Sequence, residues 1–345
     1  MLSLASKAPR PPERGRTRMN AEIAANDTPN APAAPRRYLL VTPCRDEAKY
    51  ARRTLDSVAA QTVLPTLWVI VDDGSKDETP AILAEYAARY PWIRVVTRGD
   101  RGDRKLGGGV IDAFYAGYDT INPDDFDYVT KIDLDLDLPA GYFEELMRRM
   151  EADPRIGTAS GKPYYTKDGQ EISEKCGDET SVGMVKFYRT ACFKQIGGFV
   201  RELMWDGIDC HRCRMLGWVA VSWDDPKLNF EHLRPMGTSH KNWWTGRVRH
   251  GVGQWYMGTG VAYLAASCAF RMFHPPVVVG SMAMMWGYLR SMLHRKPRYG
   301  NDQFRDFLRS YQWQCLLRGK TKATRELNAH QEKAWNGLAT KSPKA

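Results

Sequence analysis

Two rhythms of apolar residues divide the chain. Between Tyr38 and Trp223, short runs rich in Val, Ile, Leu and aromatic residues alternate with stretches where apolar positions recur every three or four residues. The run YLLVTP (38–43) predicts a buried strand, and 45–61 a helix with Ala51, Leu55, Val58 and Ala59 on one face. LWVIVDD (67–73) is a second strand, Ser75 with Glu78 forms a capping box for a helix over 78–90, and 92–97 is a third strand. This βαβαβ alternation predicts a parallel sheet flanked by helices. Strand patterns return at 126–132, 156–165, 182–189 and 218–223, with a helix over 138–150 and a polar stretch over 166–180.

Outside this region the pattern fails in two ways. Residues 1–36 are rich in Pro, Ala, Arg and Asn without apolar periodicity and predict a disordered basic tail. From His250 the chain shifts toward Trp, Tyr, Met and Ala. Residues 251–270 hold no charge, and Val277–Leu289 is an apolar run shorter than the ~20 residues of a spanning helix. It ends in a basic cluster, Arg290, His294, Arg295, Lys296 and Arg298, as expected of a helix lying among anionic head groups. A helical subdomain core or an oligomer interface is the soluble alternative.

The expected division is therefore a tail over 1–36, an α/β domain over 37–245, a helical, membrane-interfacial extension over 246–320 and a flexible tail over 321–345, frayed helix or disordered. Composition sharpens this picture only a little. The 50 Lys and Arg against 40 Asp and Glu give +10, which suits anionic partners such as nucleotides or phospholipid head groups. No nucleic-acid recognition element accompanies the charge, so nucleic acid is not an expected partner. Seven scattered cysteines do not form a disulfide framework, and the Cys210–Cys213 spacing lacks the second close pair of a zinc site, so two thiols packing on a helix are expected. The first residues, MLSLASKAPRPPERGR, carry too short an apolar run for a signal peptide, which predicts a cytosolic start.

Candidate chemistry gathers where the strand at 126–132 runs into Asp133, Asp135 and Asp137. Alternate residues of an extended chain share a face, so these carboxylates crowd one another unless a cation sits among them. Hard ions such as Mg²⁺ or Mn²⁺ take such oxygen ligands. Asp137 instead suits a cap for the following helix. The turn after the first strand, TPCRDEA, has no GxGxxG, and no Walker A loop occurs, so dinucleotide and P-loop folds are excluded. Gly107–Gly109 beside Lys105 opens a helix whose amides could face phosphate, or serves only as a tight turn. Asp206 and Asp209 lie near a helix start, where the macrodipole alone favours carboxylates.

TPCRDEA, VDDGSKDET, KIDLDLDLP, CFKQIGGF and WDGID, in this order over roughly Tyr38–Pro235, resemble the family 2 glycosyltransferases, inverting nucleotide-sugar enzymes of the GT-A fold. The resemblance implies a Rossmann-like, mostly parallel central sheet and a role for particular residues. Asp73 would contact the nucleobase, with the backbone around Thr42 and Pro43, and Glu47, lining the same pocket. Lys105 would lie by the diphosphate, Asp133 by the ribose or the ion's water shell, and Asp135 on a Mn²⁺ or Mg²⁺ ion. Asp206 would be the catalytic base, in register with Arg214, Gly217 and Trp218, and Asp209 its substitute. Trp205 stands where the family has Glu, and His232 where some relatives have a third metal ligand.

The layout is also similar to bacterial members that extend lipid-linked oligosaccharides for surface polysaccharide. It implies a nucleotide-sugar donor, UDP-linked first, a lipid-linked saccharide acceptor and an anionic membrane surface at the cytoplasmic face of the plasma membrane. Two other expectations compete: transfer to a polyprenyl phosphate, and a non-catalytic nucleotide- or saccharide-binding module.

Overall fold

The structure, a computed structural model, describes residues 36–99, 108–236, 243–272 and 277–335. The tail over 1–35, Lys105, Gly107 and the terminal residues 336–345 lie outside the described residues. In chain order the first half gives β1 (Tyr38–Cys44), α1 (Ala48–Ala59), β2 (Leu67–Asp72), α2 (Thr79–Arg89), β3 (Ile93–Thr97), α3 (Gly108–Tyr118), β4 (Tyr128–Ile132), β5 (Leu136–Asp137) and α4 (Tyr142–Ala152). The middle adds β6 (Ile156–Ser160), β7 (Pro163–Lys167), β8 (Gln170–Ser173), β9 (Val185–Arg189), α5 (Thr190–Gln195), α6 (Trp205–Met215), β10 (Val219–Ser222) and β11 (Phe230–His232). Five helices close the chain: α7 (Trp243–Met257), α8 (Val261–Arg271), α9 (Val279–Leu293), α10 (Asp302–Arg318) and α11 (Lys320–Ala334).

The main sheet has the order β10-β6-β9-β4-β1-β2-β3. Pairing is parallel from β4 through β3, as the alternation predicts, and β9 runs antiparallel between β4 and β6. Strand β1 is buried along nearly its whole length because both faces are covered. Its even-numbered side chains Tyr38 and Leu40 join Trp68 and Ile70 under α1, α2 and α4, whereas Leu39 and Val41 join Val69 and Val71 under α3, α5 and α6. A second, small sheet, β5-β11-β7-β8, stands beside the carboxyl end of β4. It divides the stretch expected as one strand over 156–165 into β6 and β7.

Three local expectations are corrected. The helix α2 has no capping box: Glu78 makes no side-chain cap, and Asp77 instead accepts from the Thr79 and Ala48 amides. Ser75 turns back to accept from Asp46 N at 2.9 Å, which stitches the loops after β1 and β2 together. Asp137 caps no helix; it sits in β5 and pairs with Arg53 at 2.8 Å, while α4 starts later, after Gly141. The segment expected as frayed helix or disordered tail is a packed helix over Lys320–Ala334. Its composition is too polar to announce one, yet Ala323 and Thr324 are buried, Tyr311 bonds Thr324, and Gln331 donates to Arg214 O at 2.6 Å.

The C-terminal helices pack by backbone proximity. A Cβ on Gly251 of α7 would lie 1.9 Å from Met284 O, and one on Gly287 of α9 would lie 2.1 Å from Val248 O. Only glycine allows this approach at those two positions. Helix α10 reaches the α/β domain through Phe304 and Leu308, which bury Ile208 of α6 and Met257. None of the described helices is long and apolar enough to cross a membrane.

Candidate active site at the carboxyl edge of the sheet

Parallel strands present their carboxyl ends to one edge, and there the loops after β1, β2 and β4 converge. The β1 and β2 loops are hydrogen-bonded to each other through both main-chain and side-chain groups. Glu47 N donates to Thr79 Oγ1 at 2.8 Å, Lys76 N to Asp46 Oδ1 at 2.7 Å, and Asp73 N to Cys44 O at 2.9 Å. Asp73 projects beside Arg98, 3.0 Å from its guanidinium. The Thr42 side chain is fully buried, its hydroxyl accepting from Trp68 Nε1 at 2.8 Å, and Pro43 is half-buried, which leaves the main chain at 42–43 as the part expected to face a nucleotide.

The crowding of Asp133, Asp135 and Asp137 is relieved by protein cations, one for each. Lys131 donates to Asp133, Arg234 to Asp135 and Arg53 to Asp137. Arg234 binds Asp135 Oδ2 through Nη2 at 2.6 Å and Nε at 3.0 Å, and reaches Glu47 Oε1 at 2.7 Å. His232 closes the cluster. Its Nε2 is 3.8 Å from Asp135 Oδ2, and its Nδ1 meets Glu174 Oε2 at 2.8 Å. Burial lowers the His232 pKa, but Asp135 and Glu174 outweigh it and hold it up at about 9. Burial likewise acts to raise Asp135, and His232 with Arg234 overcomes it, so its pKa stays below the usual carboxylate value.

The two acids of α6 have opposite surroundings. Asp206, in the first turn, is exposed, and its carboxylate lies against Gly183, where a Cβ would come within 3.0 Å of Oδ2. Asp209 is 1% exposed. Its oxygens are taken by Lys186 at 2.6 Å, Tyr188 and the Cys210 amide, and burial raises its pKa. A carboxylate so enclosed cannot reach a substrate hydroxyl, so the substitute role expected of Asp209 is corrected to a structural one. Cys210 and Cys213 are buried free thiols packed on α6, as their spacing predicts.

The structure thus brings Asp133, Asp135, Glu47 and His232 to one edge, with Asp206 tied to them through Gly183, whose carbonyl accepts from Lys131 at 2.9 Å. Arg234, Glu174 and Lys131 escaped the sequence reading. Period-two spacing could have found two of them, since His232 and Arg234, like Lys131 and Asp133, are alternate residues of extended segments. Glu174 lies in the polar stretch after β8 and carries no signal.

Comparison with known proteins places this geometry. A sequence profile for Glycosyl transferase family 2 matches residues 39–201. An uncharacterized protein of Mycobacterium tuberculosis (strain ATCC 25618 / H37Rv) is 49% identical over 49 residues, a match spanning 14% of this chain and 14% of that relative. Among solved structures, TarS of S. aureus is similar with a TM-score of 0.52 and 14% identity, covering 87% of this chain and 55% of that one. The mannosyltransferase PcManGT of Pyrobaculum calidifontis, solved with GDP-Man and Mn²⁺, has a TM-score of 0.48 and 17% identity, covering 90% of each chain. Residues 39–201 therefore match the family 2 glycosyltransferases, on a fold similar to that of TarS.

Proposed function

We propose that this protein moves a sugar from a nucleoside-diphosphate sugar to a hydroxyl of a lipid-linked saccharide, with inversion, at an anionic membrane surface. The observation that carries the reading is the pairing of an exposed acid, Asp206, with the Asp133–Asp135 edge of a family 2 domain. In that arrangement Asp73 and Glu47 line the donor's nucleoside end and Asp133 its ribose. Asp206 takes the proton of the acceptor hydroxyl as that oxygen bonds the anomeric carbon, and the glycosidic pair of electrons departs with the diphosphate. No covalent enzyme intermediate is needed.

Among the described residues no group of three or more His, Cys, Asp or Glu is poised for a metal. A donor set nevertheless fits one. Asp135 Oδ1 is buried without a hydrogen-bond partner, and the His232 ring stands beside it, oriented by Glu174. Asp135 and His232, the latter once its ring gives up the proton that Asp135 and Glu174 now favour, would hold a Mn²⁺ or Mg²⁺ ion, which would supply positive charge to the leaving diphosphate. Thermal unfolding with UDP-, GDP- and dTDP-sugars, with and without Mn²⁺, tests the donor and ion together. A ligand at a hundred times its Kd adds about 2.7 kcal/mol of stability. A uniformly flat panel would overturn the assignment.

The membrane part rests on α8 and α9. From Leu233 to Asn301 the chain has Lys and Arg but no Asp or Glu. On the same helices Phe270, Met282, Trp286 and Leu293 are 69%, 62%, 53% and 73% exposed, with Met282, Trp286 and Leu293 along one stripe of α9. Cations flanking exposed apolar side chains suit anionic lipid. The protein is expected to sediment with vesicles containing phosphatidylglycerol and not with phosphatidylcholine alone, and Met282→Ser with Trp286→Ser to weaken binding about tenfold. Equal partition of both proteins would remove the membrane from the proposal.

A further inference from the structure

Beneath the site lie two buried ammonium groups side by side. Lys131 of β4 and Lys186 of β9 are cross-strand partners, 2% and 0% exposed. Like charges directly opposite on adjacent strands repel. In a sheet built for stability alone, apolar residues at both positions would do as well or better, since replacing buried ion pairs by well-packed apolar groups is commonly neutral or favourable. The charges therefore call for a role beyond packing.

Their contacts indicate what that role is. Lys131 Nζ donates to Asp133 and, at 2.9 Å, to Gly183 O. Lys186 Nζ donates to Asp206 O at 3.0 Å and pairs with Asp209 at 2.6 Å. Both ammonium groups lie near the ring of Trp205, the residue before Asp206. Its ring is 5.2 Å from Lys131 Nζ and 5.8 Å from Lys186 Nζ, and it is wedged edge-on against Phe199. An indole ring attracts both cations without competing for their hydrogen bonds, and so offsets part of their mutual repulsion. One ammonium thus holds the acid on the donor side and the other holds the main chain of the base. The Asp133 amide donates to Met184 O at 2.8 Å, which fixes the remaining side of the frame.

We propose that Lys131, Lys186 and Trp205 are positioning residues that set the distance between Asp133 and Asp206, and so between bound donor and base. The proposal rests on the glycosyl-transfer reading above. It treats Trp205 as the hub: the indole ties the β4–β9 floor to the first turn of α6, and the spacing of the two acids follows from that tie.

Steady-state release of nucleoside diphosphate tests it, with UDP-glucose, GDP-mannose and dTDP-glucose as donors, Mn²⁺ present and the full chain used throughout. Lys131→Met and Trp205→Leu are expected to lower kcat on the order of 10²-fold, the scale of a misplacement near 1 Å, with the donor KM changed no more than about threefold for Trp205→Leu. Lys131→Arg and Trp205→Phe, which keep a cation and a ring, should each recover at least about a tenth of the wild-type rate. The double variant Lys131→Met with Trp205→Leu should lose no more than the worse single one, because both act through one device. Melting curves check that each variant is folded at the assay temperature. Folded Lys131→Met and Trp205→Leu with wild-type kcat would overturn the proposal while leaving the glycosyl-transfer reading intact. Additive losses without recovery by the conservative variants would also overturn it. A wild-type protein that turns over none of the three donors would overturn both.

Discussion

Asp206→Asn is expected to reduce sugar transfer to a hydroxyl acceptor by about 10²- to 10⁴-fold, the range a positioned general base contributes. The amide keeps the shape of the carboxylate at the start of α6, so the contact with Gly183 and the hydrogen bond from Lys186 to the Asp206 carbonyl survive. What disappears is the ability to accept a proton. Donor binding should be unaffected, because Asp73, Glu47 and Asp133 do not depend on that side chain. Measuring the transfer rate alongside the Kd of the nucleoside diphosphate separates the two. A lost rate with unchanged Kd supports the base assignment. Full activity would sink it and point to an acceptor that arrives already ionised, as a polyprenyl phosphate does.

The second large effect falls on stability. Asp209→Ala removes the carboxylate that pairs with Lys186, whose side chain is wholly buried, and leaves an ammonium among Tyr188, Cys210 and Trp205. Breaking a buried pair from one side costs about 3–5 kcal/mol, because the remaining charge keeps its desolvation penalty and loses its partner. Lys186 makes the point from the other direction: burial acts to lower its pKa, and Asp209 reverses this so that the net shift is upward. Urea unfolding should therefore show a midpoint well below wild type at an unchanged slope. Unaltered stability accompanied by lost turnover would contradict the structural role given to Asp209 and return it to the catalytic candidates.

Much of this arrangement could be read from order and period alone. The strands β1 and β2 are nearly continuous apolar runs, as suits strands covered on both faces, and such runs survive as local signals. The acids at their carboxyl ends follow from where α/β sheets place ligands. The counter-charges were harder, since each belongs to a distant segment. Arg234 meets Glu47 across 187 positions, and Glu174 meets His232 across 58. No local period encodes such pairs. The different surroundings of Asp206 and Asp209 were likewise invisible in the local pattern. Both follow a helix start and both satisfy the dipole rule, and only Lys186, a partner supplied by the neighbouring sheet, turns one of them inward. Helix α11 failed for another reason: it is anchored by Ala323 and Thr324, side chains too small and too polar to leave an amphipathic trace.

The crossing of α7 and α9 at Gly251 and Gly287 bears on how this protein could live at a lipid boundary. Most helix pairs in water are held by the release of solvent from apolar side chains, and that drive vanishes once the surroundings are hydrocarbon. Contact between one helix's carbonyls and another's α-carbons owes nothing to the solvent. It rests on close packing and weak Cα–H···O contacts, which do not need water around them. The α7–α9 pair can therefore exchange an aqueous neighbour for an acyl chain on its outer side without loosening its inner one. The part of the protein suited to touch the bilayer would then keep one shape in both media.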